Sequence, residues 1–397
     1  MINFWVRSPL YLRIIGAVVF GLIFGLILGK EAALLSIPAK LILRLLTTIA
    51  PPLILLAIIQ ALVHANLRKG QAARLAKALI LNTIVAISIG LFVANFIKPG
   101  SWSHFAKGSQ EQIISITQGP ITQFLDNIPK SILGPFTDDG KVIGVIIMAL
   151  AFGIALRRFK DYPILTIQDL VHIGLSSLTI ILNWIVNLVP LAVFGIVAST
   201  IGVKGFNDFI ALGWFVFAVI FALLLQSLYY LTLIHLKSWV SPRKILSGTK
   251  DALFMAFSTS SSTATMPITY ACLRNNIKLR EESASLGALV GSNFNNDGTA
   301  LYEAMSALFI AQLLNLNLTL FQQLMVAITS IAASVGAAGI PEAGLVTMTM
   351  VFNAVGLPTE YIAILLTVDW LLDRCRTTIN VMGDITVSCL LDGKSAE

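Results

Sequence analysis

The stretch DWLLDRCRTTINVMGD, residues 369–384, decides how this chain folds. Its polar members Asp369, Asp373, Arg376, Asn380 and Asp384 recur at intervals of four, three, four and four residues. At helical pitch all five fall within a stripe about 80° wide. The flanks are apolar, YIAILLTV before and ITVSCLL after. An Asp or Arg at mid-bilayer costs roughly 2.5–3.5 kcal/mol on insertion scales, so the stripe requires partners, water or ligands. With three acids against one Arg, it reads as a site for cations and a zwitterion.

The rest of the chain supplies the bilayer. Of its 397 residues 56% are hydrophobic and 12% charged, which places it in the all-α polytopic membrane class. The net charge of +7 comes from Lys and Arg in short loops, the pattern of cytoplasmic loops in membrane proteins. These basic residues form no face or run, so nucleic acid is not an expected partner. Three cysteines (Cys272, Cys375, Cys389) and histidines at 64, 104, 172 and 235 have neither disulfide-framework nor metal-ligand spacing. The apolar start at Ile14 has no small-residue cleavage site after it and reads as a first membrane helix.

Uncharged apolar runs fall at 14–29, 45–63, 78–97, 142–156, 170–203 and 209–234. The fifth is long enough to cross at a strong tilt, and Pro51-Pro52 should kink the second. The segment 99–139 is the one extended polar connection, an exposed loop with more acids than bases. Basic residues before the first run and after the second, fourth and sixth put the N-terminus inside the cell.

Beyond residue 240 the simple alternation breaks. Basic residues flank Ala252–Leu273 on both sides, so this segment dips in and returns, with STSSSTATMP (258–267) at its tip. Residues 284–314 cross outward, interrupted by NFNNDGT at 293–299. No Lys or Arg occurs between Asn315 and Tyr361, which makes 322–355 a second re-entrant hairpin with SVGAAGIPEAG (334–344) at its tip. Irregular backbone at membrane depth persists only where it is buried in protein or lines a cavity. Two opposed hairpins, a broken helix and the charged helix therefore converge on one midplane site.

Each part has a chemistry and a plainer alternative. The break offers carbonyls, Asn side chains and Asp297, an oxygen cage suited to Na⁺, or else a Gly kink with local caps. The first tip offers hydroxyls and helix-N-terminal amides suited to a carboxylate, or a helix-packing surface. Arg376 is the candidate carboxylate clamp, or a structural partner of Asp373, which could instead hold an ammonium group. Arg374 points off the stripe toward the first tip. Glu303 shares a face with Thr299 and is a proton-carrier candidate, or simply a hydrogen-bonded Glu. Glu342 reads as water-facing.

With FSTSSSTATMP, NNDGTALYEA, AAGIPEAG and DWLLDRCRTTINVMGD in this order, the chain resembles the dicarboxylate/amino acid:cation symporter family, which contains the glutamate transporters. The resemblance covers essentially the full length. It implies eight transmembrane helices plus two opposed re-entrant hairpins, arranged as inverted repeats in an elevator-type transporter and assembled as a homotrimer. Residues 1–240 would be mainly scaffold and trimerisation helices, the third and sixth packing with the transport domain. Residues 241–397 would be the transport core: first hairpin 244–276, seventh helix 281–314, second hairpin 320–355, eighth helix 358–392. N- and C-termini would be cytoplasmic in a cell (inner or plasma) membrane.

By the same resemblance Ser260, Ser261 and Ser262, with Thr377 and Asn380, would bind the substrate α-carboxylate. Asp373 would take the amino group and Arg376 the side-chain carboxylate, with Thr299 and the second tip from Ile340 to Gly344 completing the pocket. One Na⁺ would be held by Gly291, Asn295, Asn380 and Asp384. A second would lie at Asn293, Ser334, Val335 and Ala337, and a third at Asp297 with Asn82 and Thr83. Glu303 matches proton-coupled members. Two positions depart from the family pattern: Asn296 stands where a methionine is usual, and Leu79 where a tyrosine is usual near the third sodium.

The expected function is secondary-active symport of glutamate or aspartate, driven by Na⁺ and H⁺, with no enzymatic activity and no organic cofactor. A proton-coupled, neutral amino acid or C4-dicarboxylate carrier is the nearest alternative, although a neutral substrate would leave Arg376 unpaired. An ion channel with re-entrant hairpins would show passive flux. An intramembrane enzyme lacks a histidine or lysine beside the Ser-rich tip.

Overall fold

The computed structural model describes residues 10–42, 44–45, 48–49, 52, 56, 71–102, 165–204, 207–336 and 343–394. Among these residues the regular structure is helical throughout, with no strand. The expected helices at 45–63 and 142–156, Pro51, most of the 99–139 loop, and Ala337, Ile340 and Glu342 at the second tip lie wholly or largely outside them. Four spans among the described residues are long and apolar enough to cross a membrane: Leu12–Ile42, Ala73–Trp102, Ile167–Val203 and Ile210–Lys237.

The chain divides into two compact units, Met1–Leu56 with Ser101–Leu212 and Pro358–Trp370, and Ala57–Gly100 with Gly213–Leu357 and Leu371–Glu397. In the first unit, α1 (Leu10–Leu28) leads into a 3₁₀ segment, Gly29–Ser36. The third expected crossing, 78–97, is α2 (Gln71–Ile97), which belongs to the other unit. The apolar run at 170–203 is not one tilted helix. It forms α3 (Ile167–Val186) and α4 (Val189–Lys204), separated by a turn at Asn187 and Leu188. Pro190 is the cause: its ring would strike the Val186 carbonyl and it has no N–H to give, so it is tolerated only in the first turn of a new helix.

α1 and α4 pack closely along Ala17, Val193, Val197, Ala198 and Ile201, all buried. The approach is tightest at Gly25, where an added Cβ would stand 2.7 Å from the Ala198 carbonyl oxygen. Phe24 meets Phe194 edge-on at 5.6 Å. In lipid, where the hydrophobic effect does not drive helices together, such small-residue contacts supply the van der Waals packing that does.

The second unit is organised around breaks. α5 (Asn207–Lys237) is followed by a short helix, Pro242–Gly248, capped by Ser241. α6 (Lys250–Thr259) and α7 (Ser262–Ala271) pack on each other across the junction Ser260-Ser261. Ser260 takes a left-handed conformation (φ 53°) and ends α6 by donating its N–H to Ala256, while the Ser261 hydroxyl accepts the Ala264 N–H at 3.2 Å and starts α7. The chain then runs through irregular helix from Glu281 to Asn293, a non-helical step at 294–296, and α8 (Asp297–Leu313). The break is shorter than the sequence implies, because Asp297, Gly298 and Thr299 already form the first turn of α8.

α9 (Leu320–Gly336) and α10 (Ala343–Ala354) follow, and α11 (Ile362–Asp392) carries the polar stripe. α8 is buried on every side, from Asp297 through Ala311 and at Leu313, as expected of a helix at the centre of its unit. It packs on α2, α9 and α10, and Phe309 stacks on Phe215 of α5 at 4.5 Å. An apolar cluster of Ala252, Ala256, Leu273, Ile277, Val381, Ile385 and Cys389 locks α6 and the segment after α7 onto α11.

Candidate functional site

The open step before α8 and the middle of α11 meet through side-chain amides. Asn380 Oδ1 accepts the Gly298 N–H at 2.8 Å, satisfying a donor that the start of a helix leaves orphaned. Asn380 Nδ2 donates to Asn296 Oδ1 and Thr299 Oγ1, both at 3.3 Å. Asn295 Nδ2 returns the contact, donating to the Asn380 carbonyl and to Asp384 Oδ1, both at 3.1 Å. Asn296 Nδ2 donates to the Ser334 carbonyl at 2.9 Å and so ties the end of α9 to the same knot. Asn295 Oδ1, buried, has no hydrogen-bond partner among the described residues.

Arg376 sits beyond this knot and is fully buried. Its Nη2 donates to Asp373 Oδ1 at 2.6 Å, and its guanidinium lies 4.1 Å over the Tyr302 ring of α8. The structural pairing with Asp373, one of the two readings open from the sequence, is therefore present. It engages only one carboxylate oxygen: Asp373 Oδ2 has no hydrogen-bond partner among the described residues. A Cβ added at Gly344, the start of α10, would stand 3.1 Å from Arg376 Nη2, so α10 meets the guanidinium through bare backbone there.

The first tip contributes Ser262, buried, whose hydroxyl has no hydrogen-bond partner among the described residues. Ser261 is occupied in capping α7, and Ser260 in terminating α6. Arg374, pointing away from the stripe, donates to the carbonyls of Phe257 and Ser258 at 2.9 and 2.8 Å. Those are end-of-helix carbonyls of α6, for which a cation is the natural partner.

Three acids complete the interior. Asp384 is held by Asn295, with Gly291 close by: a Cβ there would lie 3.9 Å from Asp384 Oδ1. The Gly291 carbonyl already accepts the N–H groups of Phe294 and Asn295, at 2.8 and 2.7 Å. Asp297 accepts the Thr83 hydroxyl of α2 at 2.6 Å on Oδ1 and the Tyr230 hydroxyl of α5 on Oδ2. Asn82 Oδ1 receives the Tyr229 hydroxyl at 3.4 Å. Glu303 accepts the Thr347 hydroxyl of α10 on one oxygen, and its other oxygen has no hydrogen-bond partner among the described residues.

Thr377 is buried on the face of α11 between Arg376 and Asn380. For Asn293 and Val335 only the backbone is described. Leu79 packs with Leu75 and Val387, where it contributes no oxygen. Among the described residues no three His, Cys, Asp or Glu side chains converge as a transition-metal centre. The oxygens that do converge come from Asp, Asn, Thr, Tyr and backbone, a hard, oxygen-only set suited to alkali cations.

Sequence reading missed Tyr230, Tyr302, Gln226 and Thr347. Gln226 and Tyr230, four residues apart in the otherwise uncharged run 209–234, were the available signal. Tyr302 stands inside the motif NNDGTALYEA but no role was read for it, and nothing in the sequence pointed to Thr347.

The sequence profile of the sodium:dicarboxylate symporter family matches residues 10–394. Excitatory amino acid transporter 1 of Ambystoma tigrinum is 29% identical over 453 residues, covering 96% of this chain and 82% of its own length. Excitatory amino acid transporter 3 of Homo sapiens is 29% identical over 96% of this chain and 84% of its own. Human excitatory amino acid transporter 1 is 37% identical over 273 residues, 66% of this chain and 48% of its own.

Proposed function

Because the chain belongs to the sodium:dicarboxylate symporter family, we propose that it carries glutamate or aspartate across a cell membrane, driven by the Na⁺ gradient. The observation that carries this reading is the charge balance of one unit. Asp297, Glu303, Asp373 and Asp384 are buried, and among the described residues Arg376 is the single buried Lys or Arg. An interior with this excess of acids is costly until cations enter it. An acidic amino acid then fits: its ammonium meets the open Asp373 Oδ2, and one carboxylate meets the Arg376 guanidinium.

In this reading the α-carboxylate lies between the first tip (Ser260, Ser261, Ser262) and Thr377 and Asn380, with Thr299, Ile340 and Gly344 closing the pocket. Na⁺ is held at Asp384 with Asn295, Asn380 and Gly291, at the carbonyls of Asn293, Ser334, Val335 and Ala337, and at Asp297 with Asn82 and Thr83. Glu303, engaged through one oxygen only, is the group that would take a proton. A homotrimer, an elevator motion of the hairpin-bearing part, and cytoplasmic termini belong to the same proposal.

The test is uptake of labelled aspartate into proteoliposomes with Na⁺, H⁺ or K⁺ gradients imposed singly. Concentrative uptake that requires inward Na⁺ is the expected result. Uptake and binding that persist unchanged without Na⁺ would falsify the sodium assignment, and passive, gradient-independent flux would favour a channel.

A further inference from the structure

Tyr230 has no role in the site as assigned so far, yet its position is built with care. It is fully buried on α5, and its hydroxyl donates to Asp297 Oδ2 while Thr83 occupies Oδ1. α11 makes room at Gly383, where an added Cβ would strike Asn295 Nδ2 and stand 2.8 Å from the Tyr230 hydroxyl. Thus α2, α5, α8 and α11 converge on one phenol oxygen and one carboxylate. One turn earlier on the same face of α5 is Gln226, fully buried and beside that hydroxyl. Neither of its amide atoms reaches strict hydrogen-bond geometry with a described residue, and the polar group it approaches is the Tyr230 hydroxyl itself.

A buried amide without a well-formed hydrogen bond is costly, and the hydroxyl beside it is the partner it can take up in a second state. A hydroxyl has one proton and two lone pairs. While it donates to Asp297 it holds that carboxylate in the absence of a cation. If its proton turns to Gln226 Oε1, both the phenol oxygen and the carboxylate oxygen become acceptors facing the same space. We propose that Tyr230 is a ligand of a buried Na⁺ at Asp297, and that its hydroxyl switches its proton from Asp297 to Gln226 when the ion enters. No bond is made or broken to oxygen; only the O–H direction changes. The Tyr230 phenol then joins Thr83 and Asn82 of the proposed site around Asp297, with α5 supplying the aromatic hydroxyl and Leu79 of α2 supplying none.

This inference rests on the sodium-coupled reading above, and the experiment separates the two. Na⁺ is titrated against full-length protein in proteoliposomes, reading aspartate uptake, and against purified protein without substrate, reading thermal stabilisation. Tyr230→Phe, which removes the hydroxyl and keeps the ring, should raise the Na⁺ half-saturation about tenfold in both assays, the order of one contact to a charged group. It should also change the Na⁺ to Li⁺ preference, because a ligand has been deleted. Gln226→Leu should raise the Na⁺ half-saturation about threefold, since it leaves the hydroxyl no second acceptor. A parent protein indifferent to Na⁺ sinks both readings. Sodium dependence in the parent with unshifted Na⁺ titrations in both variants, or a loss of maximal rate alone, overturns this inference and leaves the symport reading standing.

Discussion

Two helix joints in this protein answer the same bilayer by different means. α1 and α4 meet through Gly25, Ala17, Val197 and Ala198, a seam of small apolar groups with the Phe24–Phe194 edge contact beside it. α8 and α11 meet through Asn295, Asn296, Thr299, Asn380 and Asp384, a seam of polar groups at the same degree of burial. In lipid an interhelical hydrogen bond contributes only about 0.6 kcal/mol on average, so polarity is a poor way to hold helices together. Among the described residues the second seam also leaves Asn295 Oδ1 without a hydrogen-bond partner, and Asp373 Oδ2 beside it, which a joint built for adhesion would not keep. The difference teaches that the first seam is architecture, and it is what the proposed reading of the second as a binding surface rests on.

The sharpest way to break that contrast is Arg376→Ala. It removes the one buried cation among the described residues, together with the Tyr302 contact, and leaves Asp373 without its partner. Affinity for glutamate or aspartate, measured by calorimetry at saturating Na⁺, should fall about a hundredfold, the range for truncating one side of a buried charged contact. A neutral amino acid should lose far less. Equal losses for both would return Arg376 to a purely structural role.

Next comes Gly25→Leu in the apolar seam, where the added atoms meet the Ala198 backbone 2.7 Å away and cannot be accommodated by a side-chain rotation. The expected cost is about 1–3 kcal/mol of stability, read as a lowered Tm, with the Na⁺ half-saturation of the surviving protein unchanged. A shift in Na⁺ half-saturation would mean that the two seams are energetically coupled.

How much of this was legible in the sequence follows the same division. The polar seam was, because five polar residues at helical spacing and an NFNNDGT interruption stand out against apolar flanks. Its completion was not. Tyr230, Tyr302 and Thr347 are single residues on long helices, and which of their helix faces meets Asp297, Arg376 or Glu303 depends on tertiary register. The turn at Asn187 and Leu188 was signalled by Pro190, but length alone favoured one tilted helix over two. The tight α1–α4 approach left only scattered glycines, which a single sequence does not pair with their backbone neighbours.

A third joint tests where between these extremes an ion pair falls. At the end of α11, Asp392 accepts the Trp239 indole N–H at 2.8 Å and the Arg280 backbone N–H and Nε at 3.0 and 3.1 Å, while the Arg280 Nη2 donates to its carbonyl at 2.6 Å. The Asp392 side chain is 3% exposed but that of Arg280 is 53% exposed, so water screens the charge on one side. Arg280→Gln leaves both Asp392 oxygens to the Trp239 indole and the backbone N–H at position 280 and forfeits the ionic contact. The loss should stay below about 1 kcal/mol, and should shrink further when choline chloride is raised, as screening removes what the charge contributed. Thermal unfolding at low and high choline chloride measures both. A larger, salt-independent loss would show that Asp392 behaves as the buried polar seam does, and that the network of donors around it, more than the ion pair, fixes the register of α11 against the segment at 239 and 280.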